Sequence, residues 1–194
     1  MPQIILIRPG STDFDNQGRI QGNLDVPLNE HGAAEVARVI EELRHLKLEA
    51  VYAPDCQPAL QTAEALAKAL GVRLRKLDGM RNLNHGLWQG MLIDEVRRKQ
   101  PKVYRQWQDC PQFTCPPEGE MLDQADRRVR AAMSKLLKRH KTGVVGLVVS
   151  EPLASLVRRF VQPGELGDLW KAAAGHGRWE VLQVVPNEPA HSSG

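Results

Sequence analysis

Residues Ile4–Gly22, IILIRPGSTDFDNQGRIQG, decide how the rest of the chain is read. The run Ile4-Ile5-Leu6-Ile7 is short, apolar and rich in β-branched residues, and Arg8-Pro9-Gly10-Ser11-Thr12 follows it, so the stretch predicts a buried strand running into a turn. In open α/β sheets ligands sit in the crevice beyond the carboxyl ends of the strands, and a strand this apolar does not belong at an edge. The residue it delivers to the crevice is Arg8. A guanidinium offers five donors in a fixed fork suited to a phosphate or carboxylate; the partner is either a ligand or a neighbouring acidic side chain, and spacing alone leaves both open.

The composition is that of one ordinary domain. Of 194 residues, 42% are hydrophobic and 25% charged, enough for a substantial core. No apolar stretch approaches the roughly eighteen residues that span a bilayer, and the strand begins too close to the first residue to leave room for a signal peptide, so no membrane partner and a cytoplasmic location are expected. Cys56, Cys110 and Cys115 are too few and too scattered for a disulfide framework, and no His or Cys cluster accompanies them, so neither metal nor cofactor is expected. The formal charge of +3 makes no case for nucleic acid without a localised patch. Arg127, Arg128, Arg130, Lys135, Lys138, Arg139 and Lys141 do crowd one segment, but Val129, Met133, Leu136 and Leu137 recur within it at helical spacing. That pattern reads as a core-facing helix with a solvated basic side.

Downstream the elements alternate. Asn29 is placed to cap a helix running to about Leu46, with Ala33, Val36, Ala37, Ile40 and Leu43 as its apolar face. Ala50–Ala53 reads as a strand, followed by a helix with Asp55 as its N-cap and Ala59, Ala63, Leu66 and Leu70 facing inward. Val72–Leu77 and Val144–Val149 are further strands, with a basic helix from about Leu122 to His140 between them. A helix from Glu151 to about Val161 and a last strand, Trp179–Val185, complete the pattern. Asn187–Gly194 has the composition of a flexible tail.

Several of these segments together resemble the histidine phosphatase superfamily, the phosphoglycerate mutase-like enzymes. That family writes Arg-His-Gly-x-Thr, then Gly-Arg-x-Gln-Gly and Pro-Leu; here stand Arg8-Pro9-Gly10-Ser11-Thr12, Gly18-Arg19-Ile20-Gln21-Gly22 and Pro27-Leu28. The resemblance covers roughly residues 3 to 185. It implies a three-layer α/β/α sandwich with a mostly parallel central sheet, a single domain over 1–186, and a helical and loop lid inserted at about 91–120. Trp88, Tyr104, Trp107 and Phe113 are placed either to line a ligand cavity under that lid or to fasten it to the body.

The resemblance also marks what is missing. Its phosphate-accepting histidine falls at Pro9, whose nitrogen is a tertiary amide without a nucleophilic lone pair. Its second phosphate-clamping arginine falls at Pro58, and its proton-donating glutamate at Asn82, an amide with no proton to give at neutral pH. Its second histidine falls at Glu151, whose carboxylate repels phosphate. Arg8, Thr12, Arg19 and Gln21 match the family, and with Asn82 and Glu151 they form the expected ligand-binding set.

Three functions are open on these residues. The first is a catalytically inactive member used as a binding or scaffold module for a protein or small-molecule ligand, with Arg8 and Glu151 joined as an internal ion pair where phosphate would sit. The second is an enzyme with a rearranged site using Glu151 as nucleophile or base and His85 beside it. His31, His45, His140 and His176 read as helix-end or loop residues away from the crevice. The third is small-metabolite binding in a mixed-charge pocket, favouring a zwitterion or cation.

Overall fold

The computed structural model describes residues 1–184, so the proposed tail and the end of the last strand lie outside the described residues. In chain order the elements are β1 (Gln3–Ile7), α1 (Asp13–Gln17), α2 (Glu30–Leu43), β2 (Leu48–Ala53), α3 (Ala59–Leu70), β3 (Arg73–Lys76), a short 3-10 turn (Gly86–Trp88), α4 (Ile93–Lys99), α5 (Pro101–Asp109), a second 3-10 turn (Pro111–Phe113), α6 (Leu122–Arg139), β4 (Val144–Val148), α7 (Leu153–Val161), α8 (Leu169–Ala172) and β5 (Trp179–Gln183). The sheet order is β3-β2-β4-β1-β5, parallel throughout except for β5, which runs antiparallel along β1.

β1 is interior, between β4 and β5. Successive side chains point to opposite faces, so Ile4 and Leu6 join one core with α6 and α7, while Ile5 and Ile7 join the other with α2 and α3. This is why the strand is apolar at every position instead of alternating. The result is a mixed α/β fold with helices on both faces of the sheet.

Two expectations are corrected. On α2 the buried face is Gly32, Val36, Val39 and Leu43, whereas Ala33 and Ala37 are exposed. Turning the helix so buries branched Val39, and a methyl left in water costs little. At α3 the N-cap position is Pro58 with no side-chain cap, and Asp55 instead pairs with Lys76 at 2.9 Å. Proline suits a helix start because its missing N–H would have no intrahelical acceptor there. The short helices α1 and α8 were not anticipated, and α5, which begins at Pro101, lies within the insertion expected to be helical.

The turn after β1 is locked onto α2. Ser11 donates from its backbone N and its Oγ to Glu35 Oε2, both at 2.8 Å, and its carbonyl accepts from Asn29 N at 3.1 Å. The approach is close enough that a Cβ on Gly32 would collide with the Ser11 carbonyl oxygen, and one on Gly10 with the Gly32 carbonyl oxygen. A Gly→Ala change inside a helix ordinarily gains about 0.5–1 kcal/mol. At Gly32 the sign is expected to reverse: Gly32→Ala should lose about 2–4 kcal/mol by urea denaturation, because both contacting surfaces are backbone.

Candidate functional site

The register of the sheet brings the site together. Ile7 pairs with Val148 across the β1–β4 ladder and Val149 N donates to Ile7 O at 3.1 Å, so the residues that follow both strands emerge side by side. There Arg8 Nη1 donates to Glu151 Oε1 at 2.8 Å, with side chains 11% and 2% exposed. Arg8 Nη2 donates to the Ala172 carbonyl at 3.0 Å, and Glu151 Oε2 accepts from Ser155 N at 3.0 Å and Ser155 Oγ at 2.7 Å. Burial lowers the Arg8 pKa, opposed by the Glu151 charge. A guanidinium starts so high that it stays charged. Behind Glu151, Arg158 binds both oxygens of Glu180 and lies 3.9 Å from Glu151; the Glu180 contact raises its pKa.

Beside this pair lies a cavity of about 300 Å³. Pro9, Pro58, Asn82 and Glu151 all line it, as do Arg8, Arg19 and Gln21. Arg19 reaches Gln17 Oε1 at 2.8 Å and the Gly90 carbonyl at 2.7 Å. Asn82 Nδ2 donates to the Gly22 carbonyl at 3.1 Å, while its Oδ1 is buried without a partner. Thr12 is the exception in the expected set. It is fully buried away from the cavity wall and caps α1 in a reciprocal box with Asp15, its hydroxyl also 3.2 Å from Gln21 Oε1. A side chain so placed shapes the loop instead of meeting a ligand.

Of the four aromatics singled out in the sequence, only Trp107 lines the cavity. Trp88 is buried with Ile20 and Val96, Tyr104 stacks on Trp170 at 4.9 Å, and Phe113 is 80% exposed. His85 lines the cavity edge-on to Trp107, with its Nδ1 buried and unpartnered.

The placement of His176 overturns its reading as a loop residue away from the crevice. It lines the same cavity, with Nε2 3.3 Å from Asp15 Oδ1, and burial lowers its pKa against the pull of that carboxylate. What brings it in is the antiparallel docking of β5: Gly177 N donates to Pro9 O at 3.0 Å and Arg8 N to Arg178 O at 2.8 Å. Asp15, Trp170 and Ile93 were likewise missed as cavity residues. The only signal available was Gly175-His176-Gly177 just ahead of the last strand, and it gains meaning only once that strand is known to lie along β1. Among the described residues no group of three or more His, Cys, Asp or Glu could hold a metal ion, and no helix is long and apolar enough to cross a membrane.

The family model for the histidine phosphatase superfamily (branch 1) matches residues 4–192. Phosphoserine phosphatase 1 of Hydrogenobacter thermophilus is 28% identical over 185 residues, covering 95% of this chain and 87% of that protein. Phosphoglycerate mutase-like protein 4 of Arabidopsis thaliana is 31% identical over 143 residues, covering 72% of this chain and 62% of the relative. Among solved structures, Bacillus stearothermophilus YhfR superposes with a TM-score of 0.81 at 24% identity, covering 93% of this chain and 90% of that one.

Burial gives the site a pH dependence through His85, whose pKa is pushed down to about 4. In the unfolded chain the same group titrates near 6.5, so between those values the unfolded state holds a proton that the folded state refuses. The stability tied to neutral His85 is therefore complete above about pH 6.5 and is lost as the pH falls to about 4, a total of about 3 kcal/mol. Urea midpoints are expected to fall across that window, and His85→Gln should flatten the fall.

Proposed function

The chain belongs to the histidine phosphatase superfamily, and from that premise we propose that it is a catalytically inactive member, a pseudophosphatase that works as a binding module. The observation that carries this reading is the Arg8–Glu151 pair: the guanidinium that the superfamily resemblance assigns to phosphate is already held at 2.8 Å by a carboxylate of the same chain. A phosphate approaching Arg8 would also approach Glu151. Two like unit charges about 5 Å apart at an effective dielectric near 20 cost on the order of 3 kcal/mol. Pro9 supplies no nucleophile, Pro58 no second cation and Asn82 no proton. Relatives named as phosphatases support the scaffold, while chemistry is argued from the site.

The rearranged-enzyme alternative finds less support. Glu151 is ion-paired to Arg8 through Oε1 and accepts twice from Ser155 through Oε2, which holds it in a structural role and lowers its nucleophilicity. Burial pushes the His85 pKa down to about 4, too low for an effective base at neutral pH. The open cavity supports binding over a purely structural scaffold. One domain over 1–186, with residues 91–120 as a lid and a cytoplasmic site of action, belongs to the same proposal.

An aryl phosphate assayed across about pH 4 to 9, with and without divalent cations, is expected to show no turnover above the uncatalysed rate. Glu151→His, which frees Arg8, should raise vanadate affinity by about tenfold or more, and adding Pro9→His and Pro58→Arg should raise it further. Turnover by the unmodified protein that disappears in Glu151→Gln would show instead that the chemistry has been rebuilt around the carboxylate.

A further inference from the structure

A second cleft, of about 520 Å³, shares the Arg8–Glu151 pair with the cavity but is otherwise lined by different charged residues. Four cations and two carboxylates line it: Arg8, Arg158, Lys171 and Arg178, with Glu151 and Glu180. Both carboxylates are already matched. Glu151 is ion-paired to Arg8 at 2.8 Å, and Glu180 takes Arg158 on its two oxygens, at 2.6 and 3.2 Å. Of Lys171 and Arg178, only backbone groups are hydrogen-bonded among the described residues: Lys171 N to Asp168 Oδ1, and the Arg178 carbonyl to Arg8 N. Their side-chain charges are therefore surplus. The cavity differs, since its two arginines, Arg8 and Arg19, are met by two carboxylates, Glu151 and Asp15.

The fold crowds these cations together. The β1–β5 register that pairs Ile7 with Trp179 sets Arg8 opposite Arg178, and Arg8 N donates to the Arg178 carbonyl at 2.8 Å. Like charges directly opposed across an antiparallel pair are destabilising. Both side chains reach the space beside Gly175, where a Cβ would sit 3.4 Å from Arg8 Nη1 and 3.8 Å from Arg178 Cδ. The charges of Arg158 and Arg178 act with burial to lower the Arg8 pKa, as nearby cations do. Glu151 relieves Arg8, whereas no acidic partner among the described residues relieves Arg178. An anion bound here would remove a repulsion as well as gain an attraction. The guanidinium fork of Arg178 and the flexible ammonium of Lys171 both suit carboxylate or phosphate oxygens. Two surplus positive charges match a dianion, and the volume leaves room for an organic body.

We propose that this cleft is a second binding site, for a small organic dianion held by Lys171 and Arg178. The two carboxylates in its wall do not repel such a ligand at full strength, because Arg158 covers both oxygens of Glu180 and Glu151 is turned to Arg8 and Ser155. Neither Lys171 nor Arg178 lines the cavity, so the proposal is independent of the pseudophosphatase reading. A phosphate monoester and a dicarboxylate carry the same charge, and the test separates them.

The test is a titration of the intact protein, followed by backbone amide NMR shifts at about pH 7.5 and constant low ionic strength, with glycerol 2-phosphate, malonate and acetate as probes. At least one dianion is expected to shift the amides of Lys171, Gly175 and Arg178 and to bind at least about tenfold more tightly than acetate; the tighter of the two names the class. The double variant Lys171→Ala/Arg178→Ala, at two exposed positions, should weaken that binding at least about tenfold. Lys135→Ala/Lys138→Ala, which takes the same charge from α6, should not. No shift by either dianion at about 20 mM would overturn the proposal, as would acetate binding equally well. So would affinity that survives the double variant, or that is lost instead in Arg19→Ala, which would place the anion in the cavity. The ranking on the unmodified protein stands as a test even if a variant fails to fold. Hydrolysis of the ester would sink the inactive reading of the cavity and not the cleft, which malonate and the double variant still test.

Discussion

The Arg8–Glu151 contact is the constraint on which the site depends. It exists because β1 and β4 are adjacent and parallel, so the side chains just past their ends share one crevice. Either charge alone in that place would be costly, since an isolated buried ion loses its hydration without compensation. Together they meet at 2.8 Å, with Arg8 Nη2 on Ala172 O and Glu151 Oε2 on Ser155, while Arg8 Nε is buried without a partner. Such pairs contribute little net stability over apolar residues of similar size, but losing one partner is strongly destabilising. Their effect here is to fix geometry. Through Ala172 the guanidinium holds α8, and α8 carries Leu169 and Trp170 to the cavity wall.

Much of the sheet was legible because it is written in local pattern. Runs such as Ile4–Ile7 and Val144–Val149 are short and rich in β-branched residues, which favours a strand buried on both faces over a buried helix. The charge reversal at Glu151 was legible too, since the strand before it and the strand before Arg8 both end at the crevice. Less legible were features set by tertiary contact. Val39 outcompetes Ala33 and Ala37 for the buried face of α2 by size, which helical spacing alone does not weigh. Asp55 is a good cap by residue type, but Pro58 sits where the helix starts and Lys76 is near enough to claim the carboxylate. Thr12 matched a binding motif and turned out to serve the loop. His176 lies far in sequence from Pro9 and Asp15, beside which it lines the cavity, and only the antiparallel docking of β5 places it there.

The substitutions at the superfamily positions make physical sense as a set. A carboxylate at Glu151 balances one arginine; a second arginine at position 58 would leave the crevice with an excess positive charge that still attracts anions. Pro58 removes that excess. Proline there keeps the helix start, so charge is lost while the fold is kept. Pro9 in turn removes an imidazole that would titrate against Glu151, and it closes the strand end with an apolar ring at the cavity.

Asn82 completes the argument from hydrogen-bond polarity. Its Nδ2 donates to the Gly22 carbonyl, an acceptor on the loop that also carries Arg19 and Gln21. An ionised carboxylate at that position has no donor and would face the carbonyl oxygen with like partial charge. The amide therefore does two things that a catalytic acid could not: it ties residue 82 to the Gly18–Gly22 loop and it adds no charge to the cavity. With Arg8 paired to Glu151, no ionisable acid at 82 and no imidazole at 9, the crevice lacks the groups that the superfamily resemblance assigns to nucleophile, acid and second histidine.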